Sequence, residues 1–60
     1  MTIGERIAEE RKFAGLTQKE LGAQTGIDPS TIRKYESGRL NPKIETIKRI
    51  AEVLNINWRR

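Results

Sequence analysis

Closely spaced signals for beginning and ending helices are the feature that most constrains this sequence. A threonine followed three residues later by a glutamate occurs twice, first at Thr2 and again at Thr17. Such a pair forms a capping box, in which both side chains accept hydrogen bonds from backbone N–H groups at a helix N-terminus. Gly15 and Gly26 end the two segments, because glycine readily adopts the left-handed conformation that follows many helices. The sequence therefore predicts two short helices that are joined by a very short connection and meet at a sharp angle.

An aspartate followed by a proline begins a third helix. Asp28 can accept hydrogen bonds from free N–H groups, and Pro29 fits the first helical position, where no backbone donor is needed. Gly38 ends this helix, and residues 39–42 form an irregular connection because a proline disfavours helical backbone at the residue before it. A fourth helix follows over about residues 44–54. No segment alternates apolar and polar residues as a strand does, so the predicted class is all-α.

Apolar residues recur at helical spacing, so each predicted helix has one face that can be buried. The stripe is clearest in the fourth helix. The predicted core residues are Ile3, Ile7, Ala14, Leu21, Ile32, Tyr35, Ile44, Ile47, Ile50, Ala51 and Leu54. We expect these faces to pack together as a compact bundle.

Composition excludes several classes of function. The 60 residues include no cysteine and no histidine, so the chain has no disulfide, no thiol chemistry, no Cys/His zinc site and no histidine base. No glycine-rich phosphate loop follows a strand, and no nucleophile is paired with a base. We therefore predict no enzymatic activity, no cofactor, no metal and no small-molecule ligand. The sequence contains neither an apolar run of membrane-spanning length nor a secretory signal, and a soluble, cytoplasmic protein is expected.

The positive charge is concentrated in the middle of the chain. Twelve lysines and arginines against eight acidic residues give a net charge of +4. Charges cancel over residues 1–27, whereas residues 29–49 contain six basic and two acidic residues. Such a field suits a polyanionic partner, although a solvated surface without a partner is the simpler alternative.

Residues 18–37 contain two short helices joined by a three-residue turn. Gly22 is small where the second helix must let the third approach closely, and Gly26 can supply the positive φ of a tight turn. The angle between the two helices would be fixed by core contacts of Leu21, Ile27, Ile32 and Tyr35. The outer face of the third helix is then free to enter the major groove of B-DNA, which accepts an α-helix.

Three segments carry a resemblance to a known family. They are Gly15-Leu16-Thr17-Gln18-Lys19-Glu20-Leu21, Gly26-Ile27-Asp28-Pro29-Ser30-Thr31-Ile32, and Tyr35-Glu36-Ser37-Gly38 with Asn41-Pro42. With them, nearly the whole chain resembles the helix-turn-helix domains of the Cro and phage repressor family. The resemblance implies a single lambda repressor-like domain over residues 1–60, with four helices and the start of a fifth, and with the helix-turn-helix motif at 18–37. It further implies a transcriptional regulator, in particular a repressor, that binds double-stranded DNA at a palindromic operator.

The resemblance also implies which residues contact DNA. At the start of the second helix they are Gln18 and Lys19. On the recognition helix, the groove is faced by Pro29, Ser30 and Lys34, with Thr31 and Arg33 on the flanks. The sugar-phosphate backbone is contacted by the residues that follow, Ser37, Gly38, Arg39, Asn41 and Lys43. Pro29 can offer only apolar contact, for example to a thymine methyl group, whereas the Lys34 amine can donate to guanine. The same resemblance assigns Arg11 and Glu36 to a structural salt bridge.

The C-terminal segment and two aromatic residues leave alternatives open. Only the beginning of the fifth helix is expected, with Asn57 as its cap, so pairing of two copies on DNA is not settled by the sequence. We expect Trp58 to pack over the open end of the core, and an exposed partner contact is the alternative. Phe13 lies off the predicted core face. The competing function is an antitoxin or other protein-interaction module with an apolar surface around Phe13 and Trp58. Lys43 is an unusual helix cap, and Thr25 replaces an apolar residue of the family.

Overall fold

The computed structural model describes residues 1–58, which form four α-helices and contain no strand. The helices are α1, Ile3–Phe13; α2, Gln18–Thr25; α3, Pro29–Ser37; and α4, Ile44–Leu54. The all-α class and the positions of all four helices are as the sequence predicts.

Local hydrogen bonds set the helix boundaries. Both capping boxes are formed; at the first, the N–H of Glu5 donates to the Thr2 hydroxyl at 3.1 Å and the N–H of Thr2 donates to the Glu5 carboxylate at 2.8 Å. Gly26 and Gly38 end α2 and α3 in the left-handed conformation, with φ of 76° and 82°. Lys43 precedes α4 without a side-chain capping bond. α4 ends at Leu54, as predicted, and the left-handed residue that follows it is Asn55, with a φ of 55°, which was not predicted as a helix end.

The core lies where the four helices meet. Four side chains in it are fully buried, one from each helix: Ile7, Leu21, Ile32 and Ile50. The remaining buried apolar residues are Tyr35, Ala51 and Leu54, and partly buried residues that pack around the cluster are Ile3, Leu16, Ile27, Val53, Ile56 and Trp58. Most of the predicted core is therefore confirmed.

Two predicted core residues are exposed. Ile44 leaves 67% of its surface exposed because it is the first residue of α4. Helical side chains lean toward the N-terminus, so the side chain of a first residue extends beyond the end of the packed stripe. Ala14 lies past the last residue of α1 and is exposed.

Thr25 is buried, and its polar group is paired, because its hydroxyl donates a hydrogen bond to the Leu21 carbonyl at 2.8 Å.

Two glycines allow α3 to approach the other helices. At Gly22, an added Cβ would lie 2.6 Å from the Ile27 carbonyl oxygen and would press on the Pro29 ring. This position confirms the predicted close approach of α2 and α3. At Gly4 an added Cβ would overlap the carbonyl oxygen of Tyr35, a contact between α1 and α3 that the sequence analysis missed. Together these contacts fix where α3 lies in the bundle.

The segment after α4 folds back over the start of α1. Trp58 is partly buried against the core, and the Arg6 guanidinium lies 4.9 Å from the centre of its ring. Arg6 also donates to the Asn57 carbonyl at 3.4 Å. Packing of Trp58 on the core is the arrangement expected from the sequence. Residues 55–58 contain no helix, and the remainder of the predicted fifth helix, residues 59–60, lies outside the described residues. Within the described part of the chain, no helix has the length and apolarity needed to cross a membrane.

Candidate nucleic-acid interface

The turn between α2 and α3 is held by hydrogen bonds from its own residues. The Gly22 carbonyl accepts from the N–H groups of Gly26 and Ile27, at 2.8 and 3.1 Å. Ile27 packs against the core, and Asp28 caps α3. The angle between the two helices is therefore fixed by the turn and by buried apolar contacts.

An ion pair joins α1 to the end of α3. The Arg11 Nε donates to Glu36 Oε2 at 2.7 Å, and its Nη2 donates to Oε1 at 3.1 Å. The third nitrogen, Nη1, donates to the Leu16 carbonyl at 2.8 Å, just before α2 begins. The hydrogen bond with Glu36 raises the pKa of Arg11, while burial opposes that rise. The structure confirms the pair and shows that it ties α1, the first turn and α3 together.

Gln18 extends this cluster. Its Nε2 donates to Glu36 Oε1 at 3.0 Å, and the side chain is half-buried. Because an ionised carboxylate only accepts hydrogen bonds, the amide nitrogen must face Glu36. Gln18 therefore keeps one N–H and its carbonyl oxygen for other partners. No signal in the sequence indicates this bond, because the two residues are 18 positions apart.

The predicted recognition helix, α3, is anchored on one face and exposed on the other. Ile32 and Tyr35 are buried, whereas Pro29, Ser30 and Lys34 are exposed. The flanking residues differ, since Arg33 is exposed and Thr31 is half-buried. The three residues predicted to face the groove thus share the outer side of a fixed helix.

Ser30 makes a local contact that the sequence analysis missed. Its hydroxyl donates to Asp28 Oδ1 at 2.7 Å, and its backbone N–H donates to the same oxygen at 2.8 Å. The hydrogen bond from the Ser30 hydroxyl, followed by that from its backbone N–H, lowers the pKa of the Asp28 carboxyl. The sequence predicts Asp28 only as a cap; the spacing of two residues between an aspartate and a serine at a helix start is the signal for the second bond.

The segment after α3 presents a run of exposed polar residues. They are Ser37, Gly38, Arg39, Asn41 and Lys43. The Ser37 hydroxyl donates to the Lys34 carbonyl at 3.1 Å, and the N–H of Arg39 donates to the same carbonyl at 3.0 Å. The end of α3 is therefore closed by its own hydrogen bonds, and the basic side chains beyond it face solvent. Lys19 is also exposed, on the first turn of α2.

The two aromatic residues proposed for a partner surface lie at opposite ends of α1. Phe13 is 90% exposed at its C-terminal end, near Glu9 and Glu10. Trp58 packs near its N-terminal half, on Arg6. The two rings therefore do not form one apolar patch.

The chain belongs to the helix-turn-helix family, whose model matches residues 7–59. The cryptic phage CTXphi transcriptional repressor RstR of Vibrio cholerae is 39% identical over 57 residues, which are 95% of this chain and 51% of RstR. The immunity repressor protein of Bacillus phage phi105 is 36% identical over 56 residues, which are 93% of this chain and 39% of that protein. The chain thus spans about half or less of the length of these relatives.

A solved structure has the same fold. The master regulator for biofilm formation SinR, in complex with DNA, superposes with a TM-score of 0.88 at 30% identity, covering 93% of this chain and 90% of that one. This likeness agrees with the lambda repressor-like architecture expected from the sequence.

Proposed function

We propose that this domain binds double-stranded DNA in a sequence-specific manner and acts as a transcriptional repressor, with α3 in the major groove. The observation that carries the proposal is the division of α3 into two faces. Ile32 and Tyr35 hold one face in the core, and the opposite face presents exposed Pro29, Ser30 and Lys34. Two relatives, RstR and the phi105 protein, are named as repressors, and the SinR structure is a complex with DNA. Both findings support the same function.

Each predicted contact residue has a role in this proposal. Lys34 donates to guanine, and Ser30 and Pro29 contact the neighbouring base pair, with Thr31 and Arg33 at the edges of the groove. Gln18 uses its remaining N–H on a phosphate, next to Lys19. The residues after α3 hold the sugar-phosphate backbone, which positions the domain without reading sequence; they are Ser37, Gly38, Arg39, Asn41 and Lys43.

The operator is proposed to be palindromic, with one domain on each half-site. Proteins with this motif bind two half-sites about one helical turn apart as dimers. A single domain is therefore expected to bind weakly and to gain affinity when two copies pair on DNA. The proposed role is that of a cytoplasmic DNA-binding protein and not of an enzyme.

Duplex binding measured by fluorescence anisotropy tests the proposal. A fluorescent duplex chosen by selection from a random pool is titrated with the wild type and with Ser30→Ala/Lys34→Ala. We expect the double variant to lose most of the difference in affinity between the selected duplex and a scrambled one. Unchanged discrimination by the double variant would show that α3 does not read the bases.

The salt dependence provides a second measurement. Each phosphate contact adds about −0.9 to the slope of log affinity against log salt concentration. Arg39→Ala and Lys43→Ala are each expected to make the slope less steep by roughly that amount. Lys48→Ala, which removes an exposed charge from α4, serves as the matched control and leaves the slope unchanged.

The exposed Phe13 ring is the observation that favours the alternative, a protein-interaction module. That function predicts a protein complex whose affinity depends on Phe13 and changes little with salt or with Arg39→Ala. Steep salt dependence of duplex binding together with indifference to Phe13→Ala supports the DNA-binding function instead.

A further inference from the structure

The backbone donors in the first turn of α3 and the Ser30 hydroxyl are taken up by Asp28. Both donors of Ser30 are used by Asp28 Oδ1, at 2.8 Å from the backbone nitrogen and 2.7 Å from the hydroxyl. Pro29 has no backbone N–H, and the N–H of Thr31 donates to the Asp28 carbonyl at 2.9 Å. The backbone donors of the first three helical positions, residues 29–31, are therefore absent or already paired.

Charge fixes the direction of the bond between the two side chains. The hydrogen bonds from Ser30 hold the pKa of the Asp28 carboxyl below its ordinary value, so Asp28 is ionised at neutral pH. An ionised carboxylate has no proton to give, and the shared proton therefore belongs to the Ser30 hydroxyl. The distance of 2.7 Å between Ser30 Oγ and Asp28 Oδ1 is typical of a charge-assisted hydrogen bond. The Ser30 oxygen keeps its lone pairs and can only accept a further hydrogen bond.

We propose that Ser30, held by Asp28, acts as a hydrogen-bond acceptor in the major groove and selects an A·T base pair whose adenine N6 amino group faces it. This inference rests on the proposed function and concerns which base pair α3 selects. Ser30 contacts the DNA, whereas Asp28 is a positioning residue that acts through Ser30.

The groove edges of the four bases give the reason. Adenine and cytosine present amino donors there, whereas guanine O6 and thymine O4 are acceptors. If the Ser30 oxygen faces guanine O6 or thymine O4, both acceptors lose water without gaining a hydrogen bond, which costs binding free energy. Ser30 therefore discriminates against guanine and thymine at this position.

Pro29 decides between adenine and cytosine. It is exposed beside Ser30 and has no polar side-chain atom. Next to the amino group of adenine lies O4 of the paired thymine, and beyond it lies the thymine methyl group, which suits an apolar neighbour. At the matching position of a C·G pair, beyond guanine O6, lies guanine N7, an acceptor that needs a donor that Pro29 lacks. The A·T pair is the one that satisfies both residues.

Selection of bound duplexes from a random pool tests the inference with three proteins. The wild type is expected to enrich an A·T pair roughly tenfold over the alternatives at one position. Ser30→Ala is expected to lose this preference. Asp28→Asn still caps α3 but adds an amide donor and no longer requires the Ser30 proton, so its selection widens to include guanine and thymine. Glu45→Gln is the charge-matched control on α4, expected to keep the wild-type preference.

A duplex with purine in place of the selected adenine gives a direct measurement, because purine lacks the N6 amino group. The wild type is expected to bind it roughly tenfold more weakly than the selected duplex, and Ser30→Ala to bind both alike. An A·T preference that persists in Ser30→Ala, or a Ser30-dependent preference for guanine or thymine, overturns the inference and leaves the proposed function standing. If neither the wild type nor any of the variants enriches a sequence from the pool, the proposed function is contradicted as well.

Discussion

The ion pair between Arg11 and Glu36 joins α1 to α3. Their side chains are only 11% and 9% exposed, so each charge would be costly to bury alone. The paired hydrogen bonds offset that cost and use both carboxylate oxygens. Gln18 adds a third donor, which links the start of α2 to the same carboxylate. The cluster therefore holds the proposed phosphate-contacting residue against the end of the recognition helix.

Replacing Arg11 should destabilise the domain strongly. Arg11→Met leaves the Glu36 carboxylate buried without its ion pair, and we expect the free energy of unfolding to fall by about 3–5 kcal/mol. Urea denaturation followed by circular dichroism measures the change. The control is Glu10→Gln, which breaks the less buried pair with Arg6 at 3.5 Å and is expected to cost less than about 1 kcal/mol. Equal losses for the two variants would contradict the structural role of the Arg11–Glu36 pair.

At the scale of helices, two capping carboxyl groups make the folded state less stable at acidic pH. Hydrogen bonds from Thr2 lower the pKa of the Glu5 carboxyl, and those from Ser30 lower the pKa of Asp28. A carboxyl whose pKa is lower in the folded state stabilises the fold above its unfolded pKa. That contribution is lost as pH falls through the lower, folded pKa. The caps of α1 and α3 should therefore weaken below about pH 4.

Replacing Asp28 with asparagine isolates one of these contributions. Asn caps a helix about as well as Asp but does not titrate in this range. Thermal unfolding between pH 7 and pH 2 should show a smaller loss of stability for Asp28→Asn than for the wild type, with the difference concentrated below about pH 4. Parallel pH profiles for the two proteins would show that the Asp28 carboxylate does not contribute.

The packing of α2 against α3 depends on the absence of a side chain at Gly22. Gly22→Ala places a Cβ against the Ile27 carbonyl, so the turn must shift, and we expect a loss of about 1–3 kcal/mol. Gly15→Ala is the comparison, since its Cβ meets nothing and only the positive φ of 75° is unfavourable. If the proposed function holds, Gly22→Ala should also weaken duplex binding under conditions where both variants are fully folded by circular dichroism.

At the scale of the whole molecule, the segment after α4 closes one side of the core. Trp58 covers the start of α1 and stacks on Arg6, while Phe13 at the other end of α1 is exposed. The two aromatic residues therefore differ in burial: Trp58 packs on the core, as expected, and Phe13, which lies off the predicted core face, is exposed.

Alanine substitutions should separate the two rings. Trp58→Ala is expected to lower the free energy of unfolding by about 1–3 kcal/mol, because a partly buried aromatic surface and a cation–π contact are lost. Phe13→Ala should change it by less than about 0.5 kcal/mol, as is usual for an exposed residue. Chemical denaturation of both variants measures the difference. A larger loss for Phe13→Ala would mean that Phe13 packs on the fold and that Trp58 does not.

The sequence by itself determined the four helices and their order. Their ends are set by bonds between residues two to four positions apart, such as Thr2 with Glu5, and by glycines that accept positive φ. These interactions are local, so the residue pattern is enough to predict them. The family resemblance added the Arg11–Glu36 pair, which joins residues 25 positions apart and has no local signal.

Only the tertiary structure decided how the candidate site is oriented. It turned the Gln18 nitrogen toward Glu36, exposed Ile44 at the end of its stripe, and placed Trp58 on the core. Gly4 is a further example, because its need for a small residue comes from the backbone of α3 passing close to it. Each of these features depends on where one helix lies against another. That arrangement results from burying all four apolar faces at once, and no single segment of the sequence specifies it.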